Sequence, residues 1–124
     1  MEELNKLTEQ ILKHAFKVHT ALGPGLLESS YQECLHYVLN KNGIYTEKEK
    51  ALPLLYEEIK MDIGYRIDLL VEHKIVIEVK AIEAFAAIHT AQVLTYLKLS
   101  GCKLGLLLNF NTGHLKEGIK RLVL

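Results

Sequence analysis

Two acidic residues and a lysine interrupt two otherwise apolar segments in the middle of the chain. Asp68 lies in GYRIDLLV, residues 64–71, and Glu78 and Lys80 lie in IVIEVKA, residues 75–81. Burying an unpaired charge is costly, so such residues are expected to pair with each other or to bind an ion. Two carboxylates beside a lysine can hold a hard divalent cation and act on a phosphate or on water.

The two segments are predicted to be antiparallel strands joined by the polar tip at residues 72–74. Side chains alternate between the two faces of a strand, so the length of the loop decides whether the carboxylates share a face. If Val71 is opposite Ile75, Asp68 is directly opposite Glu78, with the two Cβ atoms about 5 Å apart. A two-residue loop would instead place the carboxylates on opposite faces.

The alternative is a solvent-facing polar stripe, in which Glu78 pairs with Lys80 and Arg66 lies beside Asp68. The neighbouring residues of both strands are apolar, which disfavours a solvent-facing strand. Strict alternation also predicts that Ile67 lies on the face opposite to Asp68. The spacing of the charged residues alone is a loose pattern, and it requires support from other segments.

A third acidic residue, Glu28, lies in the G-x-x-E-x-x-Y string that runs from Gly25 to Tyr31. It is predicted to lie in the first turn of a helix, where the helix dipole and free amides favour a carboxylate. That position explains Glu28 without any function. The functional interpretation makes it a third acid beside the metal, and Tyr31 a candidate substrate contact.

Three polar residues share one face of a later predicted helix. Gln92 and Tyr96 are four residues apart, and His89 precedes Gln92 by three. They are candidates for contacts to a phosphate, to the scissile strand or to the catalytic residues. The alternative is a boundary helix in which Tyr96 is packed, Gln92 caps a backbone group and His89 is structural.

The periodicity of apolar residues predicts the elements that position these groups. Helices are predicted over residues 2–21, 26–42, 84–100 and 114–122, and strands over residues 44–50, 52–60, 64–71, 75–81 and 103–109. Pro53 marks an edge or a bulge, so the first two strands could be one bent strand. The order α-α-β-β-β-α-β-α predicts an α/β fold with a central mixed β-sheet flanked by helices.

The composition is that of an ordinary globular protein. The chain has 124 residues, 49% of them hydrophobic and 24% charged, and residues 1–124 are predicted to form a single domain. No apolar run is long enough to span a bilayer, and the first ten residues do not resemble a signal peptide. Cys34 and Cys102 are far apart in the chain and form no metal-binding pair. A cytoplasmic location is therefore expected.

Net charge and aromatic content argue against a protein that binds nucleic acid by charge or stacking alone. The formal net charge is zero, whereas such domains usually carry a basic excess. Two basic stretches could contact phosphates, and they consist of Lys13, His14, Lys17 and His19 in the first helix and Lys116, Lys120 and Arg121 near the C-terminus. Most of the six Tyr and three Phe occupy core-like positions, so no base-stacking strand is expected.

These segments together resemble the GxxExxY proteins, a group assigned to the PD-(D/E)xK nuclease superfamily. The matching stretches are VHTALGPGLLESSY, GYRIDLLVEHKIVIEVKAIE, HTAQVLTYLK and LGLLLNFN. The resemblance extends from about residue 8 to the C-terminus. It implies a restriction-endonuclease-like α/β core with a central mixed sheet.

The resemblance also implies roles for individual residues. It makes Asp68 and Glu78 metal ligands, with the backbone carbonyl of Val79 as a further ligand, and it makes Lys80 the catalytic lysine. Glu28 matches a helical acid found in many members of the superfamily. A separate match concerns the later helix, where Gln92 and Tyr96 resemble the Q-x-x-x-Y element of one nuclease branch.

Three functions are compatible with these features. The first is a nuclease that hydrolyses DNA or RNA, with DNA as the expected substrate, using a water activated by Mg²⁺ or Mn²⁺. The second is a catalytically silent module with the same fold, used in nucleic-acid binding or protein assembly. The third is an enzyme acting on another phosphoester, although no glycine-rich phosphate loop follows a strand. A homodimer is also possible.

Overall fold

The computed structural model describes all residues from Met1 to Leu124 and contains three α-helices. These are α1 (Glu2–Leu22), α2 (Glu28–Lys41) and α3 (Ala87–Ser100). α3 ends at Gly101, which has a φ of 78° and adopts the left-handed conformation that commonly follows a helix. None of the three helices has both the length and the apolarity that a membrane crossing requires.

The chain forms two sheets, which hold seven strands. The strands are β1 (Thr46–Ala51), β2 (Leu54–Tyr56), β3 (Ile59–Met61), β4 (Arg66–Val71), β5 (Ile75–Lys80), β6 (Leu104–Asn109) and β7 (Ile119–Val123). The main sheet has the order β1-β4-β5-β6-β7, and β2 and β3 form a separate two-stranded sheet. β5 and β6 are parallel and connected through α3, whereas the other neighbours are antiparallel. The predicted mixed sheet flanked by helices is therefore confirmed.

Two apolar cores lie on opposite faces of the main sheet. One core contains the buried side chains of α1 and α2 and includes Ile11, Tyr31 and Leu35. The other contains Val93 and Leu97 of α3. The central strands β5 and β6 contribute to both cores, which explains why their sequences are apolar at nearly every position. Any polar side chain in these two strands is consequently enclosed by a helical layer.

The prediction of a last helix over residues 114–122 is wrong. A short 3₁₀ helix, Leu115–Gly118, leads directly into β7, which pairs with β6 over its whole length. Without β7 the apolar strand β6 would have an open edge, and an open edge leaves backbone groups unpaired. The close approach also requires glycine, because a Cβ on Gly118 would lie 2.1 Å from the carbonyl oxygen of Asn109.

The predicted strand over residues 52–60 is also wrong, because this segment turns back on itself. Leu54–Tyr56 and Ile59–Met61 form an antiparallel hairpin outside the main sheet, and Pro53 lies between this hairpin and β1. Leu55, Tyr56 and Ile59 are all exposed. The hairpin therefore adds little to either core.

The basic stretch predicted on α1 is smaller than the sequence suggests. His14 and His19 are buried, and the Nε2 atom of His19 lies 2.8 Å from the carbonyl oxygen of Thr112. Burial, with a smaller effect from Lys17 and Lys13, lowers the pKa of His14. Only the two lysines therefore carry positive charge on the surface of this stretch.

Candidate active site

The register of the β4–β5 hairpin is the one that places both carboxylates on the same face. Val71 is paired with Ile75, and the loop between them has the three residues 72–74. The backbone ladder continues to the pair Leu69–Ile77 and stops there. The next residues along the two strands are Asp68 and Glu78, so the carboxylates lie where the two backbones cease to pair.

Each carboxylate accepts a hydrogen bond from the backbone of the other strand. The N–H of Val79 donates to Oδ2 of Asp68 at 2.9 Å, and the N–H of Asp68 donates to Oε1 of Glu78 at 3.2 Å. These bonds take the place of the missing ladder pair. On the other side of β4, Glu49 of β1 has a φ of 52°, so that strand is irregular at the same level.

The prediction that Ile67 lies on the face opposite to Asp68 is wrong. Ile67 packs in the core beneath α3, together with Leu70, whereas Leu69 packs in the core beneath α1 and α2. Strict alternation assumes a regular strand. β4 is irregular at Asp68, because its backbone N–H bonds to a carboxylate there rather than to a strand carbonyl.

Burial and mutual repulsion make the two carboxylates unusually basic. Glu78 is only 3% exposed, and burial together with the charge of Asp68 raises the pKa of Glu78 to about 8. Burial also raises the pKa of Asp68, and the charges of Glu49 and Glu28 add to the effect. Lys80 acts in the opposite direction on both carboxyl groups. A cation beside the pair would therefore stabilise the charged forms.

Lys80, Gln92 and Tyr96 form a short polar chain between β5 and α3. The Nζ atom of Lys80 lies 3.4 Å from Oε1 of Gln92, and Nε2 of Gln92 donates to the Tyr96 hydroxyl at 3.1 Å. Tyr96 is nearly buried, and burial raises the pKa of its phenol. The structure thus brings these three residues together with the carboxylates, on the α3 side of the sheet.

Glu28 approaches the site from the other helical layer. It is the first residue of α2, and its Oε2 atom accepts a hydrogen bond from the N–H of Ala81 at 3.2 Å. Ala81 directly follows Lys80, so Glu28 lies at the end of β5. Its side chain is exposed, and its charge contributes to the raised pKa of Asp68.

Two candidates for substrate contact, Tyr31 and His89, make structural contacts within the chain. Tyr31 is fully buried, stacks on Phe110 with ring centroids 4.6 Å apart, and donates its hydroxyl to the carbonyl of Gly23 at 2.5 Å. It therefore shapes the loop before α2 rather than the surface. His89 accepts the N–H of Ala86 at its Nδ1 atom, at 2.9 Å, so it caps the start of α3.

The structure identifies a further residue near the site, Asn109 at the end of β6. It is 3% exposed, and its side-chain oxygen accepts from the N–H groups of Ile82 and Asn111, both at 3.1 Å. Its amide nitrogen donates to the carbonyl of Ile82 at 2.9 Å. Asn109 thus holds the segment that follows Lys80. Glu78 is identified in the sequence as a charge within an apolar run, and Asn109, a polar residue at the end of the apolar run LGLLLN, carries a related signal.

The donors at the site fit a hard divalent cation. Asp68 and Glu78 each use one oxygen for a backbone hydrogen bond, and the second oxygen of each accepts none from the protein. These second oxygens are not completely sealed from solvent, since the one sealed side-chain atom without a partner is Nδ1 of His14. No group of three or more His, Cys, Asp or Glu residues is arranged to hold a metal ion. Two carboxylates are nevertheless enough for Mg²⁺, which usually keeps several waters.

Comparison with known proteins agrees with this geometry at the level of the family. No curated protein and no solved structure matches the chain. The family model described as the PD-(D/E)XK nuclease superfamily matches residues 5–122, which is nearly the entire sequence. The chain therefore belongs to the PD-(D/E)XK nuclease superfamily.

Proposed function

We propose that this protein is a nuclease of the GxxExxY group that hydrolyses phosphodiester bonds of DNA or RNA with the help of Mg²⁺ or Mn²⁺. The main support is the pair of buried carboxylates, Asp68 and Glu78, each of which has one oxygen that accepts no hydrogen bond from the protein. The charge of Lys80 is near enough to act on the pKa of both. Membership of a nuclease superfamily supports the same reaction class. The assignment to the GxxExxY group within this superfamily rests on the G-x-x-E-x-x-Y string and the matching stretches of sequence.

In this proposal Asp68 and Glu78 hold the metal ion, with the carbonyl of Val79 and the carboxylate of Glu28 as further candidate ligands. A bound ion of this kind polarises the scissile phosphate and lowers the pKa of a water molecule. The raised pKa values of both carboxyl groups support a cation site, since a cation between them offsets their repulsion. Glu28 is the least supported ligand, because one of its oxygens already accepts from Ala81.

The roles proposed for the other residues follow from their contacts. The Lys80 ammonium is placed to stabilise negative charge developing on the phosphate, or to orient the attacking water. Gln92 holds Lys80 through its amide oxygen and contacts Tyr96 through its amide nitrogen, so both residues position the lysine and the substrate backbone. Tyr31 acts at a distance, because it fixes the loop that precedes Glu28.

The test is cleavage of DNA and RNA oligonucleotides in Mn²⁺ or Mg²⁺ by the wild type and by Asp68→Asn, Glu78→Gln and Lys80→Met. We expect each substitution to reduce the rate at least 100-fold, the scale on which removing one stabilising group acts in other hydrolases. EDTA should abolish cleavage. The control is Lys98→Met, an exposed lysine on α3, which should retain full activity. Wild-type rates in the double variant of Asp68 and Glu78 would contradict the proposal.

A catalytically silent module is the alternative, and the zero net charge of the chain favours it. A silent module would keep the fold without using the carboxylates. It therefore predicts no cleavage by the wild type and no change in melting temperature when Mg²⁺ is added, because a ligand that does not bind cannot stabilise the native state.

Three broader features remain proposals. We propose that residues 1–124 act as one domain and that the protein works in the cytoplasm, where its two free cysteines would stay reduced. A homodimer would provide two sites for cutting both strands of a duplex. Light scattering of the purified protein, with and without a duplex, tests the dimer directly.

A further inference from the structure

We propose that a pocket beside the carboxylates binds one unstacked nucleobase, so that the substrate is a single strand rather than a duplex. This base pocket is lined by Leu54, Tyr65, Ile88, Ala91, Gln92, Thr95 and Tyr96. The proposal rests on the proposed function, because it names the substrate class of the same site. It also goes beyond the sequence, which predicts no base-stacking strand.

The base pocket shares two of its lining residues, Gln92 and Tyr96, with the site. Gln92 and Tyr96 line the pocket, and the same Gln92 lies 3.4 Å from the Lys80 ammonium. Tyr65 immediately precedes β4, the strand that carries Asp68. A nucleotide whose phosphate faces the carboxylates would therefore have its base within reach of the pocket.

The size and lining of the base pocket suit a flat heterocycle. Its volume is about 210 Å³, whereas a water molecule occupies about 30 Å³ in the liquid. The walls are mainly apolar, and the Gln92 amide and the Thr95 hydroxyl provide groups that can bond to a base edge. A nucleobase has apolar faces and a polar edge. Its faces can pack on the apolar walls while its edge bonds to the polar groups.

Two apolar side chains at the base pocket are exposed to solvent. Ile88 is 69% exposed in the first turn of α3, and the ring of Tyr65 is partly exposed. Apolar groups that cluster at the surface beside a site usually contact a ligand. Stacking of one base on an aromatic side chain contributes about 1–3 kcal/mol to binding.

The charge near the site favours a single strand over a duplex. Binding to a duplex depends largely on several lysines and arginines that contact its phosphates. The site carries Lys80, but the carboxylates of Glu28 and Glu49 also act on Asp68, and the net charge of the chain is zero. Contacts to the bases must then provide more of the affinity, and the bases of a single strand are accessible.

The test measures binding apart from cleavage. Metal-free Glu78→Gln protein, which has one carboxylate neutralised, is titrated into single-stranded DNA that carries the fluorescent base 2-aminopurine at successive positions. The same sequence is tested as RNA and as a duplex. We expect a fluorescence change at one position of a single strand, and at least tenfold weaker binding of the duplex. The DNA and RNA arms show which sugar the site accepts.

Two variants, combined with Glu78→Gln, identify the pocket. Tyr65→Ala removes the aromatic wall, and Ala91→Phe adds a large side chain at an exposed position of the lining without touching the carboxylates. Each should weaken binding of the single strand about tenfold, the lower range of one stacked base. Ala91→Phe also protects the test against misfolding of the Tyr65 variant. Tyr37→Ala is the matched control, since Tyr37 is exposed on α2.

The outcomes separate this proposal from the nuclease proposal. Unchanged binding in both pocket variants, equal affinity for the duplex, or no binding of any oligonucleotide would overturn the base pocket. Binding that depends on the pocket, together with a wild type that cleaves nothing in Mn²⁺, would overturn the nuclease and keep the pocket. If Tyr65→Ala and Ala91→Phe, made in the wild type, both cleave a duplex at an undiminished rate, the base pocket is overturned and the nuclease proposal is kept.

Discussion

The two facing carboxyl groups couple the stability of the metal-free protein to pH. The pKa of Glu78 is raised from 4.5 to about 8 in the folded protein, and that of Asp68 is also raised. A group whose pKa is higher in the folded state binds more protons when folded, so its contribution to stability is complete at low pH. This contribution is lost as the pH rises through the folded pKa, between about 4.5 and 8 for Glu78.

We therefore expect Glu78→Gln to stabilise the metal-free protein at alkaline pH. The amide can still accept the N–H of Asp68 but carries no charge to be buried. At pH 9 in EDTA, the variant should exceed the wild type by at least about 1.4 kcal/mol in free energy of unfolding, the equivalent of one pKa unit. At pH 5 the difference should shrink or reverse. Denaturant titrations at the two pH values measure the free energies of unfolding of both proteins. A difference between them that does not depend on pH would contradict the assigned pKa shift.

The positions of Asp68 and Glu78 could be predicted because they follow from local rules. Loop length and alternation fix the register, and both act over a few residues. The environment of Tyr65 could not be predicted in the same way. Its neighbours Leu54 and Ile88 are distant in sequence, and only the fold brings them together. The burial of Tyr31 likewise depends on Phe110, a residue from the other end of the chain.

The start of α3 provides a test of the role of His89 at the level of a single element. Its Nδ1 atom accepts the N–H of Ala86, which is otherwise a free donor at the helix terminus. We expect His89→Ala to cost about 1 kcal/mol, as the loss of a helix cap typically does. His89→Gln should cost less, because glutamine at the third helical position can also accept this N–H. Thermal unfolding of the wild type, His89→Ala and His89→Gln measures these differences in stability.

The same pair of variants distinguishes a cap from a substrate contact. If His89 instead contacts the phosphate, both variants should bind the single-stranded oligonucleotide more weakly while keeping the stability of the wild type. That result would contradict the structural role assigned to His89.

The junction between β6 and β7 should be the position most sensitive to a single added methyl group. A Cβ on Gly118 would meet the backbone carbonyl of Asn109, which is fixed by its place in β6. Gly118→Ala should therefore destabilise the protein by about 1–3 kcal/mol, as overpacking does. Gly113→Ala is the control, since its Cβ would have no atom within 4 Å. Equal melting temperatures of the two variants would contradict this account.

The same junction explains why the last element was predicted incorrectly. Leu115, Ile119 and Leu122 are spaced as on one face of a helix, so periodicity alone favours a helix there. The chain instead forms a strand because β6 offers a free edge along its whole length. An edge is a property of the assembled sheet, and a single segment carries no signal for it. The strong strands β4 and β5 needed no such information, since their apolar runs and the polar loop between them are local.

At the scale of the whole molecule, residues of the two helical layers converge at the end of β5. α2 contributes Glu28 from one side of the sheet, and α3 contributes Gln92 and Tyr96 from the other. The site therefore exists only when both layers are packed on the sheet. A ligand held by the carboxylates must in turn stabilise the entire fold, because it binds the folded state alone.

Mg²⁺ or Mn²⁺ should consequently raise the melting temperature, and more strongly at pH 8 than at pH 5.5. At a metal concentration ten times the Kd, one site contributes about 1.4 kcal/mol. For a chain of this size, that corresponds to roughly 5 °C. Protons compete with the metal at low pH, because the pKa values of Asp68 and Glu78 are raised. Differential scanning fluorimetry across the two pH values measures both effects.

The control for this prediction is the double variant Asp68→Asn and Glu78→Gln, which keeps the shape of both side chains without their charge. It should melt at the same temperature with and without metal, at either pH. An equal metal-dependent increase in the double variant would mean that the ion binds elsewhere, for example at the exposed acidic residues of α1. A larger increase at pH 5.5 than at pH 8 would contradict the competition between protons and metal. The expected pattern requires both the carboxylates and their raised pKa values, so it tests the site and its electrostatics together.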